Sequence, residues 1–288
     1  MISLITVGMN HKKYLEDLYR SLYGEGSPKT EFEAIYVDNC SEDGSTEWLQ
    51  ENYPQVKVIV NTEPLGFGEN NNKGVMASTG DYIGIVNPDI ILKDGSIDRI
   101  LRKAEEMNGE GIICPQLLNP DGTVQYSVRK FVSLKMMLRR WMSWENDDSD
   151  NSSVREYLCK DIDWEKTQEV DWAMGAALFM SRDTYAQLGG FDQRYFLYME
   201  DEDMCMRAWK QGIPVIYYPE AKMIHNHLRG STHLSKKTLY HLNSFFKYLC
   251  RHGLNAKREV LAGDMGTGTV SQVCQGVNEN GKQLYITN

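Results

Sequence analysis

Asp81-Tyr82-Ile83-Gly84-Ile85-Val86-Asn87-Pro88-Asp89 is the stretch around which the rest of the chain arranges itself. Tyr82 to Val86 is a short run, mostly apolar or aromatic, too brief for a helix and suited to a buried strand. Pro88 cannot donate to a ladder, so pairing stops at Asn-Pro-Asp. Asp89 therefore falls just past the carboxyl end of a central strand, the edge of an open α/β sheet where ligands bind. A carboxylate there is either a metal ligand or a turn former, and Asn-Pro-Asp alone leaves both readings open.

Outward from this strand the pattern is regular. Upstream, residues 2–7, 32–37 and 56–60 read as strands. Between them lie helical patterns: one carrying Tyr14, Leu15, Leu18 and Leu22, one running through Trp48 and Leu49, and one from Gly66 to about Ser78. Downstream, Ile97, Ile100, Leu101 and Ala104 predict a helix, and 112–118 a strand. Asn119-Pro120-Asp121-Gly122 predicts a turn after which 123–128 pairs back as a hairpin. Strands alternating with helices predict an α/β fold with a doubly wound, mostly parallel central sheet flanked by helices. Further on, 170–180 and 213–218 read as strands. Leu239, Leu242, Phe245, Phe246 and Leu249 predict a C-terminal helical extension.

With 288 residues, 41% hydrophobic and 25% charged, the chain has the composition of a globular α/β protein. Its formal net charge of −9 argues against a nucleic-acid partner. The six cysteines are scattered and form no Cys-x-x-Cys pair, so reduced thiols in a cytoplasmic setting are expected. The amino terminus enters a strand directly, and neither a signal peptide nor a bilayer-spanning run is expected.

Several positions carry candidate chemistry. Asp38 closes the second strand on the same rim as Asp89, as a ribose or base acceptor or as a turn cap. Gly66-Phe67-Gly68-Glu69-Asn70-Asn71 lacks the third glycine of a dinucleotide fingerprint, yet a glycine turn entering a helix can face an anion. Residues 131–144 are apolar, aromatic and basic. They read either as an amphipathic helix on a membrane surface or as one packed on its own domain or a second subunit. Glu200-Asp201-Glu202-Asp203 follows an aromatic stretch. The acids suit a helix N-terminus, or one of them is a general base whose pKa the surroundings raise. His225 and His227 lie beyond the strand at 213–218, as metal ligands or as surface or core residues.

In this order, Val37-Asp38-Asn39-Cys40-Ser41-Glu42-Asp43-Gly44-Ser45, Gly66 to Gly74, Gly80-Asp81-Tyr82 through Asn87-Pro88-Asp89, Gly175-Ala176, Gly189-Gly190-Phe191-Asp192, Tyr198 to Asp203 and His225 resemble the family 2 inverting glycosyltransferases of GT-A fold, and their rhamnosyltransferase-like branch most. The resemblance covers about residues 1–235. It implies a GT-A domain there, with a nucleotide-binding half at 1–115 and an acceptor and catalytic half at 116–235 bearing an insertion at 131–168; 236–288 would form a C-terminal helix and tail. By the same resemblance Asp201 is the catalytic base, with Glu200 beside it. Asp38, Asn39, Gly66, Asn70, Asn87 and Asp89 would hold the nucleotide sugar. Trp172, Gly175 and Tyr198 would line the sugar and acceptor pocket, since aromatic faces suit sugar rings, with Trp172 equally readable as a core residue. Asp89 and His225 would hold Mg²⁺ or Mn²⁺, with His227 in reserve; Asn87 replaces the first Asp of the family's Asp-x-Asp motif and is a poorer ligand for a hard cation. The implied partners are a nucleoside-diphosphate sugar, dTDP-rhamnose by branch, and a saccharide or lipid-linked acceptor. The implied place is the cytoplasm, at the inner face of the membrane; independently of the resemblance, 131–144 offers peripheral membrane contact, or packing on its own domain or on a second subunit as a homodimer.

Overall fold

The computed structural model describes residues 1–134, 136–137, 149, 151–226, 236–254, 256–258, 260–261, 274–277 and 283–286. Most of the 131–144 segment, and His227, therefore lie outside the described residues.

Strands β1 (Ile2–Gly8), β2 (Phe32–Asp38), β3 (Lys57–Val60) and β4 (Tyr82–Val86) alternate with helices α1 (Lys12–Leu22), α2 (Ser45–Asn52) and α3 (Phe67–Met76). Then follow β5 (Ile90–Leu92), α4 (Ser96–Glu106), β6 (Ile112–Leu118), β7 (Val128–Arg129), α5 (Ser152–Tyr157), β8 (Gln168–Glu169), β9 (Trp172–Ala173) and β10 (Ala177–Ser181). Helices α6 (Arg182–Leu188) and α7 (Glu200–Lys210), strand β11 (Val215–His225) and helix α8 (Lys236–His252) complete the main body. The main sheet runs β3-β2-β1-β4-β10-β6-β11-β5, with β8 also on β11. β1, β2, β3 and β4 pair in parallel, as do β6 and β11; β10 runs antiparallel between the two groups.

Side-chain alternation splits the core in two. On β1, Ile2 and Leu4 face the side covered by Leu15, Leu18 and Leu22 of α1 and by Ile97, Ile100 and Leu101 of α4. Ile5 faces the other side, with Ile83 and Ile85 of β4 and Met204, Cys205 and Ala208 of α7. On β10, Ala177 and Phe179 take the first side and Leu178 and Met180 the second. The period of two is that of a strand buried on both faces, which is why 82–86 reads as a nearly unbroken apolar run. A Cβ on Gly84 would lie 2.6 Å from Phe179 Cε1 and 2.7 Å from Leu4 Cδ2, so this strand centre has no room for a side chain.

Three sequence expectations are corrected. Residues 123–128 do not form a hairpin arm: a single bridge joins Leu118 to Val124, and β7 turns to pair with β9, where Val128 and Trp172 enter the second core. The run 170–180 is divided at Met174–Ala176, because the Gly175 amide bonds a side chain of α7 and leaves the ladder. Pro219 does not end the strand begun at 213–218. β11 crosses it through an irregularity between Tyr218 and Lys222 and runs on to His225, which ends a strand and does not lie beyond one. The polar tail carries three short strands, β12 (Val260–Leu261), β13 (Cys274–Val277) and β14 (Gln283–Ile286), paired as a small antiparallel sheet.

Candidate active site

β4 ends as the sequence predicts. The Asn87 amide donates to the Ala176 carbonyl at 2.9 Å and Ile90 N–H returns to the Asn87 carbonyl, closing a tight turn over Pro88 and Asp89. β5 follows at once and pairs antiparallel with the end of β11, Ile90 opposite His225. Asn226 N–H donates to the Asp89 carbonyl at 2.8 Å. This register brings two residues 136 positions apart together: His225 Nε2 lies 3.4 Å from Asp89 Oδ1. Asp89 Oδ1 is buried and accepts no hydrogen bond, and His225 is almost fully buried. A hard carboxylate oxygen and an imidazole nitrogen facing each other at this distance suit a divalent cation. Among the described residues no third His, Cys, Asp or Glu joins them. Two protein ligands are the usual share where substrate phosphates and water fill the other positions.

The four acids opening α7 divide their work. Tyr198 and Met199, at φ 68° and 71°, place two consecutive non-glycine residues in the left-handed region immediately before the helix. Such residues cost of order 1–2 kcal/mol each and mark a backbone held by its surroundings. Glu200 points inward; its Oε2 is buried without a partner, and burial, then the charge of Asp201, pushes its pKa well up. Asp201 accepts from Gly175 N–H at 2.8 Å and Glu202 N–H at 2.9 Å. Burial still outweighs these bonds and raises its pKa. Glu202 accepts from Val132 N–H at 2.7 Å, and burial lifts it to about 8. Asp203 is the opposite case: burial would raise it, but His252 and Arg207 hold it below the usual carboxylate range. It accepts from Arg207 Nε at 2.7 Å and His252 Nε2 at 2.7 Å, which clamps α8 against α7. The dipole reading of this cluster covers only part of it, since Glu200, Glu202 and Asp203 are buried.

A cavity of about 410 Å³ collects most of the predicted positions. Asn87, Asp89 and His225 line it, as do Glu200 and Asp201 and the pocket candidates Trp172, Gly175 and Tyr198. Trp172 is also core, its indole N–H donating to the Lys130 carbonyl at 2.9 Å. Asp38, Asn39, Gly66 and Asn70 are absent from its lining. Asp38 is 2% exposed and accepts from Tyr36 and from Ser41 N–H, the geometry of a turn cap. Asn39 exchanges hydrogen bonds with the Leu65 backbone, and Asn70 donates to the Leu65 and Gly66 carbonyls, so both hold the loop into α3. Gly66 lets that loop pass the backbone of Tyr195 and Phe196: a Cβ there would lie 2.9 Å from the Phe196 carbonyl oxygen.

Residues without a sequence signal complete the wall. Arg129 stacks over Tyr157 and Trp172, 5.4 and 5.9 Å from the ring centroids, and sets a cation beside the acids of α7. His241 and Phe245 arrive from α8, whose helical period was legible although its approach to the cavity was not. No helix among the described residues is long and apolar enough to cross a membrane.

Comparison with known proteins agrees with this architecture. Residues 3–165 match the model of Glycosyl transferase family 2. N-acetylglucosaminyl-diphospho-decaprenol L-rhamnosyltransferase of Mycobacterium tuberculosis is 30% identical over 237 residues, 76% of this chain and 75% of that one. Rhamnosyltransferase WbbL of Escherichia coli K12 is 27% identical over 267 residues, 90% of this chain and 96% of that one. Among solved structures, the mannosyltransferase PcManGT from Pyrobaculum calidifontis, in complex with GDP-Man and Mn²⁺, superposes with a TM-score of 0.56 at 17% identity, covering 86% of this chain and 64% of that one. The fold is that of the GT-A glycosyltransferases. With the family model matched over more than half of its length, and two rhamnosyltransferases aligned over most of theirs, this chain belongs to glycosyl transferase family 2 and is a glycosyltransferase.

Proposed function

We propose that the protein transfers rhamnose from dTDP-rhamnose to a hydroxyl of a lipid-linked saccharide, with inversion at the anomeric carbon. The observation that carries this reading is the shared cavity, with Asp89 and His225 on its lining and the paired acids Glu200 and Asp201 on the same lining. The rhamnosyltransferase relatives support the sugar, and the diphospho-decaprenol in the name of one supports a lipid-linked diphosphate acceptor. Mn²⁺ in a neighbouring GT-A structure supports a divalent cation, Mg²⁺ or Mn²⁺, at Asp89 and His225. Bound there, such a cation offsets the charge of the departing diphosphate.

The residues of the chain account for the remaining chemistry. Asp201 accepts the proton of the acceptor hydroxyl; its oxygens keep free lone pairs beside the two backbone amides they already accept from. A raised pKa improves it as a base near neutral pH. The acceptor oxygen then forms its bond to the anomeric carbon as the bond to the diphosphate oxygen breaks, and the electron pair leaves with the dTDP. Both raised pKa values in the Glu200–Asp201 pair favour a proton held nearby. Trp172 and Tyr198 offer aromatic faces to sugar rings, and Arg129 offers a cation to an anionic substrate. The buried side chains of Asn39 and Asn70, which hold the loop into α3, would with Asp38 shape the rim that receives the base.

The test is to incubate the protein with dTDP-rhamnose, a short-chain N-acetylglucosaminyl-diphospho-lipid and Mn²⁺, and to read the product's anomeric configuration by NMR. Transfer with inversion is expected. A product of retained configuration contradicts the mechanism, and transfer from another sugar nucleotide alone contradicts the donor.

A further inference from the structure

Behind the Asp89–His225 pair lies a chain of hydrogen bonds that runs in one direction. His225 Nδ1 is 2.6 Å from Gln125 Oε1. The Gln125 amide nitrogen donates to Asn119 Oδ1 at 3.1 Å. The Asn119 amide nitrogen donates to Thr123 Oγ1 at 2.9 Å, and Thr123 Oγ1 donates to Asp121 Oδ1 at 2.6 Å. An ionised Asp121 can only accept, and Thr123 Oγ1–H and N–H together hold its pKa below the usual carboxylate range. Each link fixes the next. The Thr123 hydroxyl proton goes to Asp121, so its lone pair faces Asn119. Asn119 spends its NH₂ on Thr123 and presents its oxygen to Gln125. Gln125 spends its NH₂ on Asn119 and presents its oxygen to His225. A carbonyl oxygen can only accept, so the imidazole carries its proton on Nδ1.

From this we infer that Gln125 is a positioning residue that holds His225 as the Nδ1–H tautomer, with the Nε2 lone pair aimed at the Asp89 side of the cavity for a divalent cation. The turn 119–125 is the relay's frame. Asn119 N–H bonds the Thr123 carbonyl, and Gln125 N–H bonds Leu117, so the amide of Gln125 is anchored to β6, which itself pairs with β11 on the way to His225. Asn119-Pro120-Asp121-Gly122 thus does more than reverse the chain. In the neutral Nδ1–H ring, Nε2 presents a lone pair 3.4 Å from the buried Asp89 Oδ1, two donor atoms whose mutual repulsion a divalent cation held by both residues would relieve. A partner that accepts the other ring N–H of a ligating histidine fixes its orientation and basicity, and its loss typically weakens metal affinity about 10–100-fold.

The inference rests on the proposed metal role of His225, and the test separates the two. Mn²⁺ binding is followed by electron paramagnetic resonance in the presence of dTDP for wild type, His225→Ala, Gln125→Leu and Gln125→Glu. The ring tautomer of His225 is read in the cation-free protein by ¹⁵N NMR at pH 8, with His225→Ala supplying the assignment. Expected are the Nδ1–H form in wild type, a shift to the Nε2–H form in Gln125→Leu, and Mn²⁺ affinity about 10–100-fold weaker in Gln125→Leu but restored toward wild type in Gln125→Glu, which keeps the acceptor. An unchanged tautomer in Gln125→Leu overturns the relay whatever the metal does. Affinity lost in His225→Ala but retained in Gln125→Leu also overturns it, leaving the metal site standing. Equal Mn²⁺ affinity in wild type and His225→Ala overturns the metal reading on which the relay depends. Melting curves for each variant confirm that the fold is kept.

Discussion

Glu202 gives a pH signature that can be worked out in advance. It is almost fully buried, accepts from Val132 N–H, and its carboxyl is lifted by burial from the ordinary 4.5 to about 8. The folded pKa is above the unfolded one, so between the two the folded protein holds a proton that the unfolded chain has released. Stability from this group is therefore full below about pH 4.5, declines as pH rises, and is gone above about 8. One proton corresponds to a decline of about 1.4 kcal/mol per pH unit. Glu202→Gln keeps an oxygen for the Val132 amide and cannot ionise. Its stability relative to wild type should climb by about 1.4 kcal/mol per pH unit between pH 5 and 8 and level off above that. Urea unfolding followed by tryptophan fluorescence, at constant ionic strength and several pH values, measures the difference. Glu200 and Asp201 are present in both proteins, so their own titrations largely cancel. Wild-type and variant profiles that run parallel from pH 5 to 9 would refute a protonated, buried Glu202.

Further outcomes follow from the same packing. Gly66→Ala places a methyl 2.9 Å from the Phe196 carbonyl oxygen and 3.0 Å from its Cα, both main chain, and should cost about 1–3 kcal/mol in chemical denaturation; an unchanged midpoint would show that the loop yields freely. Asp203→Ala strands the Arg207 and His252 side chains that it now receives, and should cost about 3–5 kcal/mol. Because His252 is the end of α8, limited proteolysis should also cut this variant within 236–252 sooner than wild type, and equal cleavage rates would argue against the clamp.

The parts of this molecule legible in the sequence are those governed by local rules. The buried run 82–86 and its stop at Pro88 needed only strand length and proline chemistry, and both appear as read. The alternation of α1 to α4 with the parallel strands likewise follows from helical and strand periods. What was not legible depends on pairing across long separations. Pro219 looks like a terminator until β6 and β5 are known to pair with the strand on both sides of it. Glu202 and Asp203 look like a solvated first turn until Val132 and His252 arrive from elsewhere. Arg129 stands in no motif and gains its place only because β7 pairs with β9. Asp38 shows the converse. Its motif is clear, but the side chain is buried as a turn cap, so how it would meet a nucleotide is not written in the motif.

The central claim, that Asp201 is the base while Asp89 and His225 face the diphosphate, is tested most directly by Asp201→Asn. Transfer to the acceptor and Mn²⁺-dependent dTDP binding are measured side by side, with melting curves confirming the fold. The account predicts transfer slowed about 10²–10⁴-fold with dTDP affinity within about twofold of wild type. Transfer at near wild-type rate would contradict it, and so would a matching collapse of dTDP binding, which would put Asp201 among the donor contacts.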